Sequence, residues 1–414
     1  MDKNKRLTVW LPVIIAASIA LGIFIGNHYL SISQGKKRSY SSGNKINAIL
    51  DIIDEQYVDT VSMSKLVEST IPKIFSELDP HSVYIPAEDA SVVNEELEGS
   101  FSGIGVSFNM QTDTILVISV ISGGPAEKAG LLPFDRIISI NDSIFSGKKK
   151  NQGEIMKTLR GAKNSTVKLG VQRGNSPELL YFDVTRGDVP VNSVDVSYEA
   201  AKGIGYIKVS KFARNTYNEF ITAIAKLKQA GCTSFVIDLR GNTGGYMDAA
   251  INMINEFMPE GRLIVYTEGK SFPRSDVYAN GTGTCKDAPI VVLTDEISAS
   301  ASEIFSGAIQ DNDRGTIIGR RTYGKGLVQT QMSLSDGSEM RLTIARYYTP
   351  SGRCIQKKYE MGNTDAYDQD IYNRYMHGEF DSADSIKMDD SLKYQTVGGR
   401  TVYGGGGIMP DIFI

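Results

Sequence analysis

The sequence predicts an α/β protein with an N-terminal membrane segment, a strand-rich module and a larger region in which strands and helices alternate. Three observations support this organisation. Residues 7–26 carry no charge, residues 98–187 read as short alternating strands separated by glycine turns, and beyond residue 188 strands and helices follow one another in turn. Such alternation is typical of a largely parallel sheet covered by helices.

The uncharged N-terminal run is "LTVWLPVIIAASIALGIFIG". As a helix that rises about 1.5 Å per residue, it is long enough to cross a hydrocarbon core of about 30 Å. Residues 1–30 are therefore predicted to be a membrane anchor or a signal segment. The length of the run favours an anchor that is not cleaved, and "SIS" at 31–33 leaves cleavage open. Basic residues flank the run on both sides, so its orientation stays undecided.

The composition excludes some functions. The 414 residues are 41% hydrophobic and carry 44 basic and 48 acidic side chains, for a net charge of -4. Without a basic stripe, a nucleic-acid partner is not expected. The three cysteines are far apart and lack C-x-x-C spacing, so neither a metal site nor a cofactor is predicted.

Residues 31–97 are predicted to be a polar linker followed by helices, with a turn at "LDPHSVYIPAED". Residues 98–187 resemble a PDZ domain, on the strength of "GGPAEKAGL" and "DRIISIN". Phe134 stands where a glycine commonly precedes the aspartate of that pattern, which predicts an altered turn.

The first loop of this module, "SGIGVSF", is a candidate binding site. Gly103, Ile104 and Gly105 can direct successive N–H groups at an anion, and the strand that follows would be open to an added peptide strand. Glycines at the start of a strand more often form a bulge. Within the PDZ pattern, however, they indicate a site for the C-terminal carboxylate of a peptide.

Residues 188–414 contain the strands "GIGYIKV", "SFVIDL", "RLIVYTE" and "APIVVLT", with helices between them. Functional groups are expected at the carboxyl ends of such strands. Two loops lie there, "DLRGNTGG" at 238–245 and "DEISASASEIF" at 295–305. The first resembles the "GNSGG" of trypsin-like proteases, but Thr243 replaces the serine and the strand–loop–helix context differs. It is interpreted as a glycine turn that can approach a ligand closely.

The second loop contains three serines at alternate positions. The apolar spacing that follows predicts a helix that starts near Ser300, which leaves the N–H of Ala301 free to bind an oxyanion. Such a site suits acyl transfer. Ser300 and Glu303 also form S-x-x-E, a capping box, and on this stretch alone capping is the stronger interpretation.

The stretch "RTYGKGLVQTQ" favours catalysis. Its alternation predicts that Lys325, Leu327 and Gln329 share one face of a strand. A lysine buried among apolar groups releases its proton more readily and can act as a general base. No histidine is needed, and none is predicted to lie where a triad would require it: the chain has only His28, His81 and His377.

The motifs "LDPHSVYI", "DLRGNTGG", "SASASEI", "TYGKGLVQ", "TPSGRCIQ" and "GGGGIMPDI" resemble, in order and spacing, those of the carboxyl-terminal processing peptidases, or tail-specific proteases. The resemblance implies that Ser300 is the nucleophile, Lys325 the base and Gln329 the residue that orients the lysine. It implies oxyanion donors at Ala301 and at Gly244, with Gly245 as the alternative.

The same resemblance implies a crotonase-like peptidase domain over 188–414, with the PDZ domain inserted as a gate that reads the tail of the substrate. Arg160 would couple tail binding to catalysis, although a solvated arginine is the plainer interpretation. Residues 359–390, an acidic and tyrosine-rich insertion, have no predicted role.

The sequence thus predicts a serine endopeptidase that cuts proteins near a free C-terminus through an acyl-enzyme. It would be anchored to the inner membrane of a bacterial cell envelope, with the catalytic domain periplasmic or otherwise extracytoplasmic, and a homo-oligomer is compatible with it. The alternatives are an inactive PDZ scaffold and a crotonase-fold acyl-transfer enzyme. The joint presence of Ser300, Lys325 and Gln329 disfavours the scaffold, and a PDZ domain with an anchor disfavours the acyl-transfer enzyme.

Overall fold

A computed structural model of the chain describes residues 16–23, 42–111, 114–147 and 152–414. The chain divides into two compact units, Met1–Thr70 and Ile71–Ile414. The first contains helices α1 (16–23) and α2 (Ser42–Gln56) and the start of α3 (Met63–Phe75). Among the described residues, no helix has the length and apolar character needed to cross a membrane. The rest of the predicted anchor, outside 16–23, lies beyond the described residues.

The second unit begins with a strand and a helix that precede the strand-rich module. These are β1 (Val83–Ile85) and α4 (Ala87–Glu98). The module is closed by a two-stranded antiparallel ladder between β2 (Ser100–Gly103) and β9 (Gly187–Pro190). Its two ends therefore meet where the predicted PDZ boundaries lie.

Between these two strands lies a six-stranded antiparallel sheet with the order β3-β4-β5-β7-β8, in which β6 pairs with β5. Its strands are β3 (Val106–Gln111), β4 (Thr114–Val120), β5 (Arg136–Ile140), β6 (Ser143–Ile144), β7 (Thr166–Gln172) and β8 (Leu180–Thr185), and its helices are α5 (Pro125–Ala129) and α6 (Gln152–Leu159). Alternate strand residues such as Val167, Leu169 and Val171 are fully buried, as expected for a sheet with one face on a core. The module has a hydrophobic cluster of its own.

The turn at Phe134 keeps a left-handed backbone although the glycine of the pattern is missing. Phe134 has φ +70°, in the left-handed region that glycine adopts without penalty, and its side chain is 73% exposed. The backbone conformation of the glycine pattern is therefore kept by a residue that is strained in it.

The larger region contains a six-stranded sheet with the order β10-β11-β12-β15-β16-β21. Its strands are β10 (Val194–Ala201), β11 (Ile204–Val209), β12 (Ser234–Asp238), β15 (Ile290–Thr294), β16 (Thr316–Gly319) and β21 (Ile412–Phe413). β10 is antiparallel to β11, and the remaining neighbours are parallel. The predicted α/β alternation with a largely parallel sheet is confirmed.

Three helices pack with this sheet: α7 (Thr216–Gln229), α8 (Met247–Asn255) and α9 (Ala301–Asp311). On α7 the buried apolar residues follow the helical repeat, at Phe220, Ala223, Ile224 and Leu227. Phe257 lies at the centre of the core, with edge contacts to the rings of Phe220, Phe235 and Phe305 at 6.2, 6.2 and 6.4 Å.

A second, antiparallel sheet has the order β1-β18-β13-β14, with β17 paired to β18. Its further strands are β13 (Leu263–Glu268), β14 (Ser275–Tyr278), β17 (Leu327–Ser333) and β18 (Glu339–Tyr348). The strand "RLIVYTE" therefore lies outside the parallel sheet, because β13 pairs with β14 and β18. Beyond β18 follow α10 (Asp365–Asp368), α11 (Asp370–Met376) and the hairpin of β19 (Lys393–Gln395) and β20 (Thr401–Tyr403).

Candidate active site

The three serines between β15 and α9 have different surroundings. Ser298 and Ser302 are fully buried, and each hydroxyl donates to a main-chain oxygen: Ser298 to Leu239 at 2.8 Å and Ser302 to Asn242 at 2.9 Å. Ser300 is partly exposed and lies directly before the first residue of α9. The hydroxyls of the outer two serines thus hold the loop together, and Ser300 is the one of the three that is partly exposed.

The backbone at Ser300 is strained. Its φ of 55° and ψ of -113° lie in a region that L-residues rarely occupy, at a cost of about 1–3 kcal/mol. The N–H of Ser300 donates to Oε2 of Glu303 at 2.8 Å, as the capping box predicts. The N–H of Glu303 is accepted by the main-chain oxygen of Ser300 at 2.8 Å. The start of the helix is therefore held largely by the main chain and Glu303.

The glycine loop 241–245 lies against the serine. A Cβ added to Gly244 would be 2.7 Å from Cβ of Ser300, so only glycine fits there. Asn242 holds this loop: its Nδ2 donates to the Val209 carbonyl at 2.9 Å, and its carbonyl accepts from the N–H of Ala299 at 3.0 Å. The two loops that the sequence places at the carboxyl ends of β12 and β15 are thus in direct contact.

The structure distinguishes the two candidate glycine donors. The N–H of Gly244 donates to Oδ1 of Asn242 at 2.8 Å and is already engaged. Among the residues that the structure describes, no acceptor is found for the N–H of Gly245 or for that of Ala301. These two groups are the ones available to a ligand.

Glu303 links the serine to the lysine loop. It is fully buried, and its two carboxylate oxygens accept four hydrogen bonds. The donors are the N–H of Ser300 (2.8 Å), the N–H of Lys325 (2.9 Å), the N–H of Gly324 (2.7 Å) and the hydroxyl of Thr322 (2.6 Å). Burial raises the pKa of Glu303 to about 7, and the four donors oppose this shift. The sequence indicated Glu303 only as a cap, because three of its donors come from a distant segment.

Lys325 lies at the end of the loop that leads into β17. Burial lowers the pKa of its ammonium below the usual range, with a further contribution from the positive charge of Arg341. Its Nζ donates to Oε1 of Gln329 at 3.2 Å. A bulge between Val328 and Gln329 breaks the strict alternation that the sequence predicted, yet Lys325 and Gln329 still meet.

The hydroxyl of Tyr347 joins the two sides of the site a second time. It lies within hydrogen-bond distance of the main-chain oxygen of Ser300, at 3.1 Å, and of that of Lys325, so its single proton is shared between these two acceptors. Tyr347 is fully buried, and burial holds the pKa of its phenol well above the usual value, so the hydroxyl keeps its proton. Sequence reasoning did not identify this residue.

His81 lies closer to the site than the sequence indicated. Its main-chain oxygen accepts from Nε2 of Gln329, whereas its imidazole Nε2 lies 2.7 Å from the hydroxyl of Tyr367. Asp79 fixes this segment by accepting from the N–H of His81 at 3.0 Å and from the hydroxyl of Thr343 at 2.9 Å. The turn "LDPHSVYI" is therefore part of the wall of the site, through its backbone.

The predicted carboxylate loop of the PDZ module begins at the end of β2. The side chain of Ile104 is buried, so the loop can present only main-chain groups of this residue. The oxygen of Ile104 accepts from the N–H of Ala126 at 2.6 Å, and that of Gly105 accepts from Ile121 at 2.9 Å. β3 pairs with β4 on one side, and no described strand pairs with its other edge. A peptide strand can be added there.

Arg160 lies beside this loop. Its guanidinium forms an ion pair with Glu95 of α4 at 2.8 Å and lies 4.5 Å from the ring centroid of Phe101. A Cβ added to Gly103 would be 3.6 Å from Cγ of Arg160. Helix α4 also carries Glu98, which accepts from Arg214 at 2.8 Å and from the hydroxyl of Tyr246 at 2.9 Å. Helix α4 therefore contacts both the PDZ module and the residue that follows the glycine loop.

Two family models match the chain. Peptidase family S41 matches residues 203–365, and the PDZ domain matches residues 102–195. The chain is similar to the carboxy-terminal processing protease CtpB of Bacillus subtilis (strain 168), with 35% identity over 318 residues, which are 76% of this chain and 66% of that protein. It is also similar to a probable CtpA-like serine protease of Staphylococcus aureus (strain N315), with 33% identity over 86% of this chain and 72% of that protein.

Among solved structures, the photosystem II D1 C-terminal processing protease aligns with 76% of this chain and 90% of its own, at 27% identity and a TM-score of 0.41. The sequence relatives are the stronger similarity.

Proposed function

The chain belongs to the C-terminal processing proteases, serine peptidases of family S41, and on that premise we propose that Ser300 and Lys325 form the catalytic dyad. The observation that carries the proposal is the shared carboxylate of Glu303. One of its oxygens accepts from the N–H of Ser300 and from the N–H of Lys325, at 2.8 and 2.9 Å. The main chains of the two residues are thereby bound to the same carboxylate oxygen.

In this mechanism, the neutral amine of Lys325 takes the proton of the Ser300 hydroxyl as Oγ attacks the scissile carbonyl carbon. The N–H groups of Ala301 and Gly245 hold the oxyanion that forms, and we choose Gly245 because the N–H of Gly244 is bonded to Asn242. The lysine then returns the proton to the leaving amine, which leaves an acyl-enzyme on Ser300. A water molecule, deprotonated by the same lysine, hydrolyses the ester and restores the free hydroxyl.

The PDZ module is proposed to select the substrate by its tail. The main chain of Gly103, Ile104 and Gly105 would bind the terminal carboxylate, and the last residues of the substrate would extend β3 as an added strand. The position of Arg160, between this loop and α4, supports a role in coupling tail binding to the site. Protein substrates are then cut near an exposed C-terminus.

Two finer statements belong to the same proposal. The peptidase domain is proposed to be crotonase-like, which the contact between loops at the carboxyl ends of β12 and β15 supports. The chain is proposed to act in a bacterial cell envelope, anchored to the inner membrane by residues 7–26, with the catalytic domain outside the cytoplasm. The uncharged length of that run supports the anchor.

The test is mass spectrometry of a model substrate with a free C-terminal tail, incubated with the purified full-length chain. Ser300→Ala should abolish cleavage, while loss of its capping role costs only about 0.5–2 kcal/mol of stability. Ser298→Ala and Ser302→Ala are the matched controls. Each should retain cleavage and lose about 0.5–1.5 kcal/mol for its hydrogen bond. Cleavage by the Ser300 variant would refute the assignment of the nucleophile.

A further inference from the structure

The insertion at 359–390 places one aromatic side chain deep in the protein. Tyr367 of α10 is 3% exposed, although most of its neighbours in the insertion face solvent. Its hydroxyl lies 2.7 Å from Nε2 of His81, and the two rings meet edge to face with centroids 5.3 Å apart. The insertion therefore reaches the segment whose backbone borders the catalytic lysine.

We propose that Tyr367 is a positioning residue for Lys325, which it holds through His81 and Gln329. The proposal rests on the assignment of Lys325 as the catalytic base. Three contacts connect the residues in series. Lys325 donates to Oε1 of Gln329 at 3.2 Å, Nε2 of Gln329 donates to the main-chain oxygen of His81, and the imidazole of His81 is bonded to the hydroxyl of Tyr367.

The middle contact determines how the amide of Gln329 is oriented. A main-chain carbonyl can only accept, so the amide must turn its NH₂ group toward His81. Its oxygen is then left to face the amine of Lys325. If His81 moved away, the amide could rotate and present a donor to the lysine instead. The contact between Oε1 of Gln329 and the amine of Lys325 therefore depends on the position of His81.

Tyr367 is itself held from the side of the catalytic loop. Its main-chain oxygen accepts from Nζ of Lys357 at 3.1 Å, and the same ammonium lies 4.0 Å from the ring centroids of both Tyr323 and Tyr367. Tyr323 precedes the Gly324–Lys325 turn, and its N–H donates to the Ser298 carbonyl at 3.0 Å. Lys357 therefore joins the insertion to the loop that carries the base.

The charge state of His81 is compatible with this role. Burial, together with the positive charges of Lys325 and Lys357, lowers its pKa to about 4, and the carboxylate of Asp79 opposes the shift. Above that pH the imidazole is neutral. It can then be held by a hydroxyl without placing a second cation beside the catalytic amine.

The test is steady-state kinetics of Tyr367→Phe in the full-length chain. This change keeps the ring between His81 and Tyr323 and removes only the hydroxyl. We expect kcat to fall roughly ten- to a hundredfold, because a small displacement of the base has effects of this size, and KM to stay unchanged. Tyr372→Phe, in the same insertion and 62% exposed at the tyrosine, is the matched control and should behave like the wild type.

A double-mutant cycle separates positioning from general loss of structure. If Tyr367 acts through Gln329, then adding Tyr367→Phe to Gln329→Ala should lower kcat no further. Multiplied losses, or wild-type kcat in Tyr367→Phe or in Gln329→Ala, would overturn the proposal. If Tyr367→Phe does not fold, His81→Phe breaks the same contact from the other side and should show the same non-additivity. A Lys325→Arg variant with full activity would instead refute the dyad itself, so the two failures can be told apart.

Discussion

The proposed catalytic centre and the proposed carboxylate loop of the PDZ module are both built on glycine-containing turns, yet they are held in different ways. In the catalytic centre, buried side chains join separate segments: Asn242, Glu303 and Tyr347 each bond to two or more of them. The carboxylate loop is held by main-chain hydrogen bonds that the carbonyl oxygens of Ile104 and Gly105 accept, and no described strand pairs with the edge of β3 beside it.

The difference matches the two tasks. Stabilisation of a transition state requires donors and a base that are already in place before the reaction, because reorganisation would cost part of the gain. Recognition of a tail requires an open edge that many sequences can occupy. We therefore expect substitutions in the catalytic centre to lower kcat by large factors. Changes at the carboxylate loop should lower kcat/KM by the smaller factors that are typical of losing one contact with a ligand.

The largest effect is expected at Lys325. Arginine stays protonated at any workable pH, so Lys325→Arg cannot accept the serine proton, and kcat should fall by at least about a thousandfold. Lys358→Arg, at an exposed position directly before the insertion, is the control and should have wild-type activity. The measurement is kcat for a tailed peptide.

The pH profile of the wild type gives an independent check on the same residue. Only the neutral amine is a base, so activity should rise as the pH increases through the pKa of Lys325, which burial holds below the usual lysine range. Activity that falls over this range, or inhibition by EDTA that zinc reverses, would contradict a lysine base.

Glu303→Gln should give the next largest effect. The carboxylate accepts from four donors, but an amide has one accepting oxygen and an NH₂ group that must face two of them. Stability should fall by about 1–3 kcal/mol for each donor left unpaired, and kcat roughly a hundredfold as Ser300 and Lys325 move. The control is Glu268→Gln at an exposed position. If kcat and the unfolding midpoint are both unchanged, the carboxylate of Glu303 neither positions Ser300 and Lys325 nor stabilises the fold.

The carboxylate loop is tested by two peptides that differ only in a free or an amidated C-terminus. Loss of one charge-assisted hydrogen bond is worth about 1.5–3 kcal/mol, so kcat/KM for the amidated peptide should be roughly ten- to a hundredfold lower. If Arg160 couples tail binding to catalysis, Arg160→Gln should reduce the ratio of kcat/KM for the free peptide to kcat/KM for the amidated peptide. Lys163→Gln, which removes an exposed ion pair with Asp188, should leave it unchanged. Equal cleavage of both peptides by the wild type would refute tail recognition but would not contradict the assignment as a peptidase.

The sequence predicts the local part of each region well and the long-range part poorly. Ser300, Lys325 and the loop 103–105 could be proposed as site residues because each lies in a short motif whose chemistry is local. The roles of Glu303 and His81 depend on partners that come from distant segments, as Thr322 and Gln329 do. The engagement of Gly244 depends on one side-chain rotamer of Asn242, which no spacing reveals. β13 likewise joins the antiparallel sheet through pairing that alternation does not encode.

The smallest effect concerns backbone strain, which occurs at Ser300 in the proposed active site and at Phe134 elsewhere in the PDZ module. Ser300 and Phe134 each have positive φ, 55° and 70°, without being glycine. Ser300 lies between β15 and α9, next to the glycine loop of the proposed active site. At Phe134 the side chain is 73% exposed, and nothing in the structure uses the strain.

Replacement by glycine should therefore have different effects on cleavage at the two positions. Phe134→Gly should raise the free energy of unfolding by about 1 kcal/mol, since the left-handed conformation costs a non-glycine residue about 1–2 kcal/mol and glycine gives back part of this as chain entropy. The N–H of residue 134 can still donate to Val117, and cleavage should be unchanged. Ser300→Gly should relieve strain in the same way but abolish cleavage. Chemical denaturation and peptide hydrolysis on both variants provide the comparison. A less stable Phe134→Gly would mean that the exposed ring contributes contacts that outweigh its backbone strain.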